Sequence, residues 1–299
     1  MNRRFRTVAA VALMVSIALL AVVAFNITSR LRDAEQQASI VERLRELGGT
    51  VKYDFDLGSR PKPSSWMHDL FGDDFFGDVV QVDLRRGTVT DDDLPLLFDL
   101  PTVTWLGLYD TSITDDGLRH VGSMSQLEFL WLDGTPITNA GILHLIDLDA
   151  LKELLVQGTA VTDDAMIDVA KLPSLVSLAL GDTAISADGI AHLTSLDLHS
   201  LHLGVTNVTD DARNALNHFS NLEHLDLFGT QVTDAVFTPP TPWPRLRILR
   251  IGSTMISDNC IPSLAMLTSL EHLGVNDTKI TDNGVATLRA QMPNCQVHK

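Results

Sequence analysis

Leu127-Glu128-Phe129-Leu130-Trp131-Leu132, followed by Thr135, Ile137, Thr138 and Ile142, recurs along the chain at nearly constant spacing. Aligned on the last strand aliphatic, the copies fall at Leu84, Leu108, Leu132, Val156, Leu180, Leu203, Leu227, Ile251 and Val275, with steps of 24, 24, 24, 24, 23, 24, 24 and 24 residues. A fixed period of this size marks a stack of small units, each too thin to bury an apolar face alone. Within one unit the two-residue alternation sends Leu130 and Leu132 to one face of a short strand and Trp131 to the other. Stacked in parallel about 4.8 Å apart, nine such strands form a spine on the order of 40 Å long.

After each strand, Thr114, Thr138, Thr162, Ser186, Thr209, Thr233, Ser257 and Thr281 precede an acidic or small residue and an apolar stripe. A hydroxyl N-cap with Asp in the first turn is a helix start. The stripes Leu118, Val121, Met124 and Ile142, Leu145, Leu148 and Ile261, Leu264, Leu267 predict short convex helices packed on the strand leucines. Two irregularities matter. The single-residue deletion falls between Ile190 and Leu198, which preserves the inside/outside pattern of Leu198, Leu201 and Leu203. The seventh unit carries Pro239, Pro240, Pro242 and Pro244 after Phe237, which forbids a helix interior and predicts extended chain there.

On Leu127 to Ile142, and again on Leu270, Leu273, Val275, Thr278, Ile280, Thr281, Asp282 and Val285, the chain resembles the leucine-rich repeat family, over about two thirds of its length. The resemblance implies an α/β fold: a right-handed solenoid with a parallel concave sheet and short convex helices. The unit is most similar to the cysteine-containing subclass, with Thr111, Thr135, Thr159, Thr183, Thr206, Thr230, Thr254 and Thr278 where that consensus places Cys. Eukaryotic members of that subclass are often ubiquitin-ligase receptors with an F-box. No such box is visible, so that function is not carried over.

The flanks divide as follows. Residues 1–6 hold Arg3, Arg4 and Arg6, and residues 7–25 form an uncharged apolar run of 19, long enough to cross a bilayer. Arginines before the span favour a cytoplasmic N-terminus and an exported C-terminal body, hence a single-pass signal anchor. A cleaved signal peptide is the alternative, since Val22, Val23 and Ala24 offer a small-residue cleavage site. Either way the repeats are expected outside the cytoplasm.

Across residues 26–50, Leu31, Ala34, Ala38, Val41, Leu44 and Leu47 share one helix face, which ends at Gly48 and Gly49. That face suits a stalk, a dimerising coil or a packing helix, and its length of barely two heptads favours packing. Residues 51–78 are expected to cap the solenoid: Val51, Tyr53 and Phe55 alternate like a strand, and Trp66, Leu70, Phe71, Phe75 and Phe76 suggest an amphipathic plug. The lead-in from Gly72 to Leu84 is similar to that of membrane-anchored bacterial leucine-rich repeat proteins. Nine units fill 79–291, and 292–299 provide an incomplete tenth strand.

A formal net charge of -16 and a pI near 4.8 argue against a nucleic-acid partner, because phosphate neutralisation needs a basic surface. Two cysteines, Cys260 and Cys295, make no disulfide scaffold and are expected as buried small hydrophobes. Phosphate loops, GxSxG elbows and HExxH motifs are absent, so no cofactor, catalytic residue or metal ligand is assigned. The Asp column at the helix starts could suggest calcium, but single carboxylates there already serve the caps.

Outward-facing strand residues are free of core duty and report on function. Trp105, Tyr109, Phe129 and Trp131 converge on adjacent strands with Leu155 beside them, which is the composition of a binding patch unless the N-terminal cap folds over it. Toward the other end His202, His224, Asp226, Phe228 and Arg250 form a polar extension. Ser200, His202, His224 and Asp226, a two-by-two block on neighbouring strands, invite comparison with a hydrolytic nucleophile, base and acid, and His202, His224 and Asp226 with a zinc site. A flat sheet without an oxyanion donor disfavours the first, and solvent exposure without a ligand motif the second. The sequence therefore points to a non-enzymatic module that binds a protein or cell-envelope ligand through its concave face. A spacer role without a discrete hot spot is the alternative. Oligomeric state is not legible.

Overall fold

The computed structural model describes residues 2–238 and 243–299. Among the described residues eleven strands form a single sheet in chain order: β1 Thr50–Tyr53, β2 Val79–Asp83, β3 Trp105–Gly107, β4 Phe129–Trp131, β5 Glu153–Leu155, β6 Ser177–Ala179, β7 Ser200–His202, β8 His224–Asp226, β9 Ile248–Arg250, β10 His272–Gly274 and β11 Gln296–His298. β1 runs antiparallel to β2, and every later pair is parallel and in register. The 23-residue step leaves no slip: Leu178 pairs with Leu201, and Leu201 with Leu225. Short α- or 3-10 turns return each unit along the opposite side, and the apolar core is one continuous column between the two layers.

Three residue columns fix the turns of each unit and join it to the next. The hydroxyls of Thr111, Thr135, Thr159, Thr183, Thr206, Thr230, Thr254 and Thr278 each donate to the carbonyl three residues back, at 2.5 to 2.7 Å. Threonine therefore serves this buried turn because its one donor is consumed locally and its methyl packs. The N-cap hydroxyls of Thr114, Thr138, Ser186, Thr209, Thr233, Ser257 and Thr281 accept from backbone N–H groups in their own helix starts.

The acidic column does more than complement helix dipoles. One carboxylate oxygen of Asp91, Asp115, Asp163, Asp210, Asp234 and Asp258 accepts from the backbone N–H of the next unit's N-cap, and the other from its hydroxyl, at 2.6 to 2.9 Å. Asn139 makes the same rung to Thr162 with its amide donating to the hydroxyl. These oxygens are spent on stacking. The rung is absent at Ala187, whose side chain offers no oxygen to Thr209, in the unit that carries the deletion.

Two residues beyond each strand-end aliphatic, one residue per unit adopts left-handed backbone: Arg86, Asp110, Gly134, Gly158, Asp182, Val205, Gly229, Ser253 and Asp277. Val205 is the β-branched member, at φ +59 and 54% exposed, a conformation that crowds its Cβ.

At the N-terminal end the apolar run and the amphipathic stretch merge into one helix, α1 Asn2–Glu46, about 67 Å long. Ile40, Val41, Leu44 and Leu47 are buried in the core of the solenoid end, Ala34 is buried farther along the helix and Leu31 is exposed, so the stripe is used for packing. Gly48, at φ +87, ends the helix as its spacing predicts.

The expected plug is corrected. α2 Ser65–Phe71 buries none of its residues, and α3 Asp73–Phe76 is only half-buried. Tyr53, Phe55, Val41 and Leu44 close the solenoid end instead. An amphipathic pattern does not name the face it meets, and β1 had already covered the edge. At the other end β11 pairs with β10 as the closing strand.

In the seventh unit the 3-10 turn Asp234–Phe237 gives way to extended backbone at Thr238, and the expectation for residues 239–242 lies outside the described residues. Buried Trp243 packs against the end of that turn: it meets Phe237 edge-on at 6.0 Å and donates its indole N–H to the Leu216 carbonyl at 3.1 Å. Both cysteines are free and buried. Burial, then the Asp234 carboxylate, push the Cys260 thiol up to about 12, and burial raises Cys295 as well, so neither is a ready nucleophile.

Candidate functional site

Strand alternation alone sets the aromatic cluster. Trp105 on β3 pairs by Cα with Phe129 on β4, Gly107 with Trp131, and Trp131 with Leu155. The rings of Trp105 and Trp131 meet edge-on at 4.7 Å, and Tyr109 tilts toward Trp131 at 6.2 Å. Gly107 makes this possible: a Cβ there would stand 2.6 Å from Trp105 Cη2, so the indole occupies the space over Gly107 only because that side chain is missing. The Trp131 indole N–H donates to Glu153 at 2.7 Å. Arg85 stacks on the Tyr109 ring at 5.2 Å, donates to its hydroxyl, and pairs with Asp83.

The four aromatics and Leu155 are all half-buried, neither sealed nor free. The cap does not fold over them. β1 extends the same sheet by one antiparallel strand and walls one side of an open cleft of about 350 Å³ lined by Lys52, Gln81, Asp83, Arg85, Trp105 and Trp131. The cleft thus combines two rigid indoles with charges of both signs, a composition suited to a mixed apolar and polar peptide surface.

Along the sheet, Ser200 Oγ lies 3.0 Å from His202 Nε2, and His202 Nδ1 lies 3.9 Å from Asp226 Oδ2. The atom order is that of a triad, but 3.9 Å is an electrostatic contact and not a hydrogen bond. Asp226 is committed elsewhere: it accepts from the Phe228 N–H at 2.9 Å and faces Arg250 at 3.4 Å. Burial alone would raise its carboxyl, yet His202, the Phe228 N–H and Arg250 together hold it below the usual carboxylate range. Nearby backbone donors are spent on the sheet, as Leu203 N–H is on the Asp226 carbonyl, which leaves little to stabilise an oxyanion.

Burial, then neighbouring His202, lower His224, so it is neutral at pH 7. Among the described residues no three His, Cys, Asp or Glu side chains converge as a metal site. Phe228 and Arg250 instead line a second open cleft of about 440 Å³ with Ile248, His272, Asn276 and His298, in which the two imidazoles stack at 6.0 Å.

The structure therefore splits the ten sequence-derived positions into an aromatic group on β3 to β5 and a polar group on β7 to β9. Arg85, Asp83 and Lys52 at the first cleft, and His272 and His298 at the second, were not singled out. Asp83, His272 and Glu153 stand in the outward rows, so the alternation could have flagged them. Arg85 lies past its strand and reaches back only through a long side chain, which spacing does not reveal.

No protein-family model matches the chain. No curated protein matches it either. Among solved structures it is similar to an internalin C2 from Listeria monocytogenes, at 24% identity and TM-score 0.53 over 68% of this chain and 81% of that one. An internalin F from the same organism aligns at 17% identity and TM-score 0.42, over 74% and 89%. The leucine-rich repeat ectodomain of a plant membrane receptor kinase from Arabidopsis thaliana aligns at 15% and 0.43, over 69% and 25%. The first likeness shows the leucine-rich repeat solenoid fold, and the other two align too loosely to add to it.

Proposed function

We propose that the chain is a non-enzymatic recognition module, held by α1 in a membrane with its repeats on the exported side, that binds a protein or cell-envelope ligand through the concave sheet. One observation carries this: a preorganised, half-open cluster of Trp105, Tyr109, Phe129 and Trp131 beside a charged cleft, on a strand ladder that holds each side chain at fixed spacing. Rigid aromatic anchors bind at low entropic cost. His202, His224, Asp226, Phe228 and Arg250 extend the footprint as its polar end. In support of the anchor, α1 is exposed from Leu13 to Asp33 and apolar enough in its first part to cross a membrane.

Capture of the native partner from intact membranes by the full chain, compared with Trp105→Ala/Trp131→Ala, tests the proposal. Binding is expected to fall by more than about tenfold, with the melting temperature nearly unchanged. Unchanged capture would remove the cluster from the binding surface. A hydrolytic reading has one point in its favour, the Ser200-His202-Asp226 atom order, and requires turnover of an activated ester that is lost in Ser200→Ala.

A further inference from the structure

α2 and α3 carry an apolar surface that neither the core nor the concave face uses. Trp66 and Leu70 stand one turn apart on α2, each 65% exposed, with Phe71 at 44%. The surface is braced from beneath: Phe71 stacks on Phe75 at 5.0 Å and meets Phe76 edge-on at 6.0 Å. Monomeric proteins rarely leave such a group to water without a use.

Its position along α1 identifies what covers it. From the solenoid outward, α1 first buries Leu44, Val41 and Ile40, then bonds through Gln37 to Asp74, the Gly77 carbonyl and the Val79 N–H, and last meets Asp78 through Arg30 at 3.9 Å. From Leu13 to Asp33 the helix is exposed. Among these contacts the link from α3 to β2, at Asp78, is thus the one closest to the apolar run, and α2 leads through α3 into that link. At 1.5 Å per residue, Arg30 lies about 7 Å beyond Phe25 and Gln37 about 18 Å. The headgroup layer of one leaflet is on the order of 5–8 Å thick.

We propose that Trp66, Leu70 and Phe71 dock into the interfacial layer of the same bilayer that α1 crosses, a second foot that fixes the tilt of the solenoid over the membrane. This rests on α1 being a membrane anchor. The indole suits the site, with an apolar body and one N–H for the headgroups. Asp69 and Asp73 flank the surface and Lys62 and Arg60 are paired with Asp56, Asp54 and Asp78, so apolar burial drives docking, not attraction to anionic lipid.

The test uses the full chain in phosphatidylcholine vesicles brominated near the headgroup end of the acyl chains. An environment-sensitive dye is placed on Leu70→Cys, on Leu20→Cys in the apolar run, or on Lys279→Cys far along the solenoid; the native thiols are buried. Quenching at 20 and at 70 but not at 279 is expected, and adding Trp66→Ser and Phe71→Ser should cut the signal at 70 several-fold. Quenching at 20 without quenching at 70 overturns the docking, leaves the anchor standing, and assigns the surface to a protein neighbour. Persistence at 70 in the Ser background also overturns it, because the dye would then be inserting by itself. No quenching at 20 overturns the anchor and the docking together.

Discussion

Asp115→Ala isolates what a single carboxylate rung contributes to stacking. Asp115 Oδ1 accepts from the Thr138 N–H at 2.8 Å and Oδ2 from the Thr138 hydroxyl at 2.6 Å, across a partly buried seam between the second and third units. Hydrogen bonds to a charged acceptor contribute about 1.5–3 kcal/mol each, and partial exposure places these at the lower end, so truncation is expected to cost about 3 kcal/mol. For a folded body of this size that lowers Tm by about 8 °C. Thermal and urea unfolding of the detergent-solubilised chain, followed by circular dichroism, measure it.

Asp115→Asn is the control that the protein supplies itself. Asn139 already makes this rung with its amide donating to the Thr162 hydroxyl, so the Asn variant is expected to lose less than about 1 kcal/mol. A cost below about 0.5 kcal/mol for Ala, or equal costs for Ala and Asn, would refute the assignment of stacking energy to these rungs.

Two further outcomes follow from local strain and charge. Val205→Asn places a residue that tolerates φ +59 where a β-branched one is crowded, and is expected to raise stability by about 1 kcal/mol, seen as a Tm increase of about 3 °C; a decrease would contradict the strain. Because burial and His202 depress His224, the unfolded chain binds more protons than the folded one once pH falls below about 6.5; stability is full above that value and lost beneath it. His224→Gln should therefore flatten the decline of Tm between about pH 7.5 and 5.5, and a decline as steep as the parent's would show that His224 does not contribute.

The fold was legible because strand alternation and a constant period constrain each other. Leu130, Leu132 and Ile142 can satisfy both only in a stacked coil, and the deletion before Leu198 sits where a loop absorbs it. The Thr column was legible as a position but not as a mechanism, since its hydroxyl answers a carbonyl in the same turn. The Asp rungs were read only as caps: an acid at a helix start explains itself locally, and nothing in the sequence shows its second partner 23 residues on. The outward rows located Trp105 and Trp131 together because neighbours in register must touch. They did not show that Gly107 makes room for the Trp105 ring, nor that Arg85 folds back over Tyr109. Trp66 and Leu70 were misplaced for a plain physical reason: an apolar stripe states that something covers it, not what.

The most direct test of the recognition surface is photo-crosslinking in native membranes, with a benzophenone amino acid at Phe129 in the concave cluster or at Met266, which is exposed beyond a convex helix. A discrete adduct from position 129 and none from position 266 is expected. No adduct at 129, or the same adducts from both faces, would contradict binding through the concave sheet.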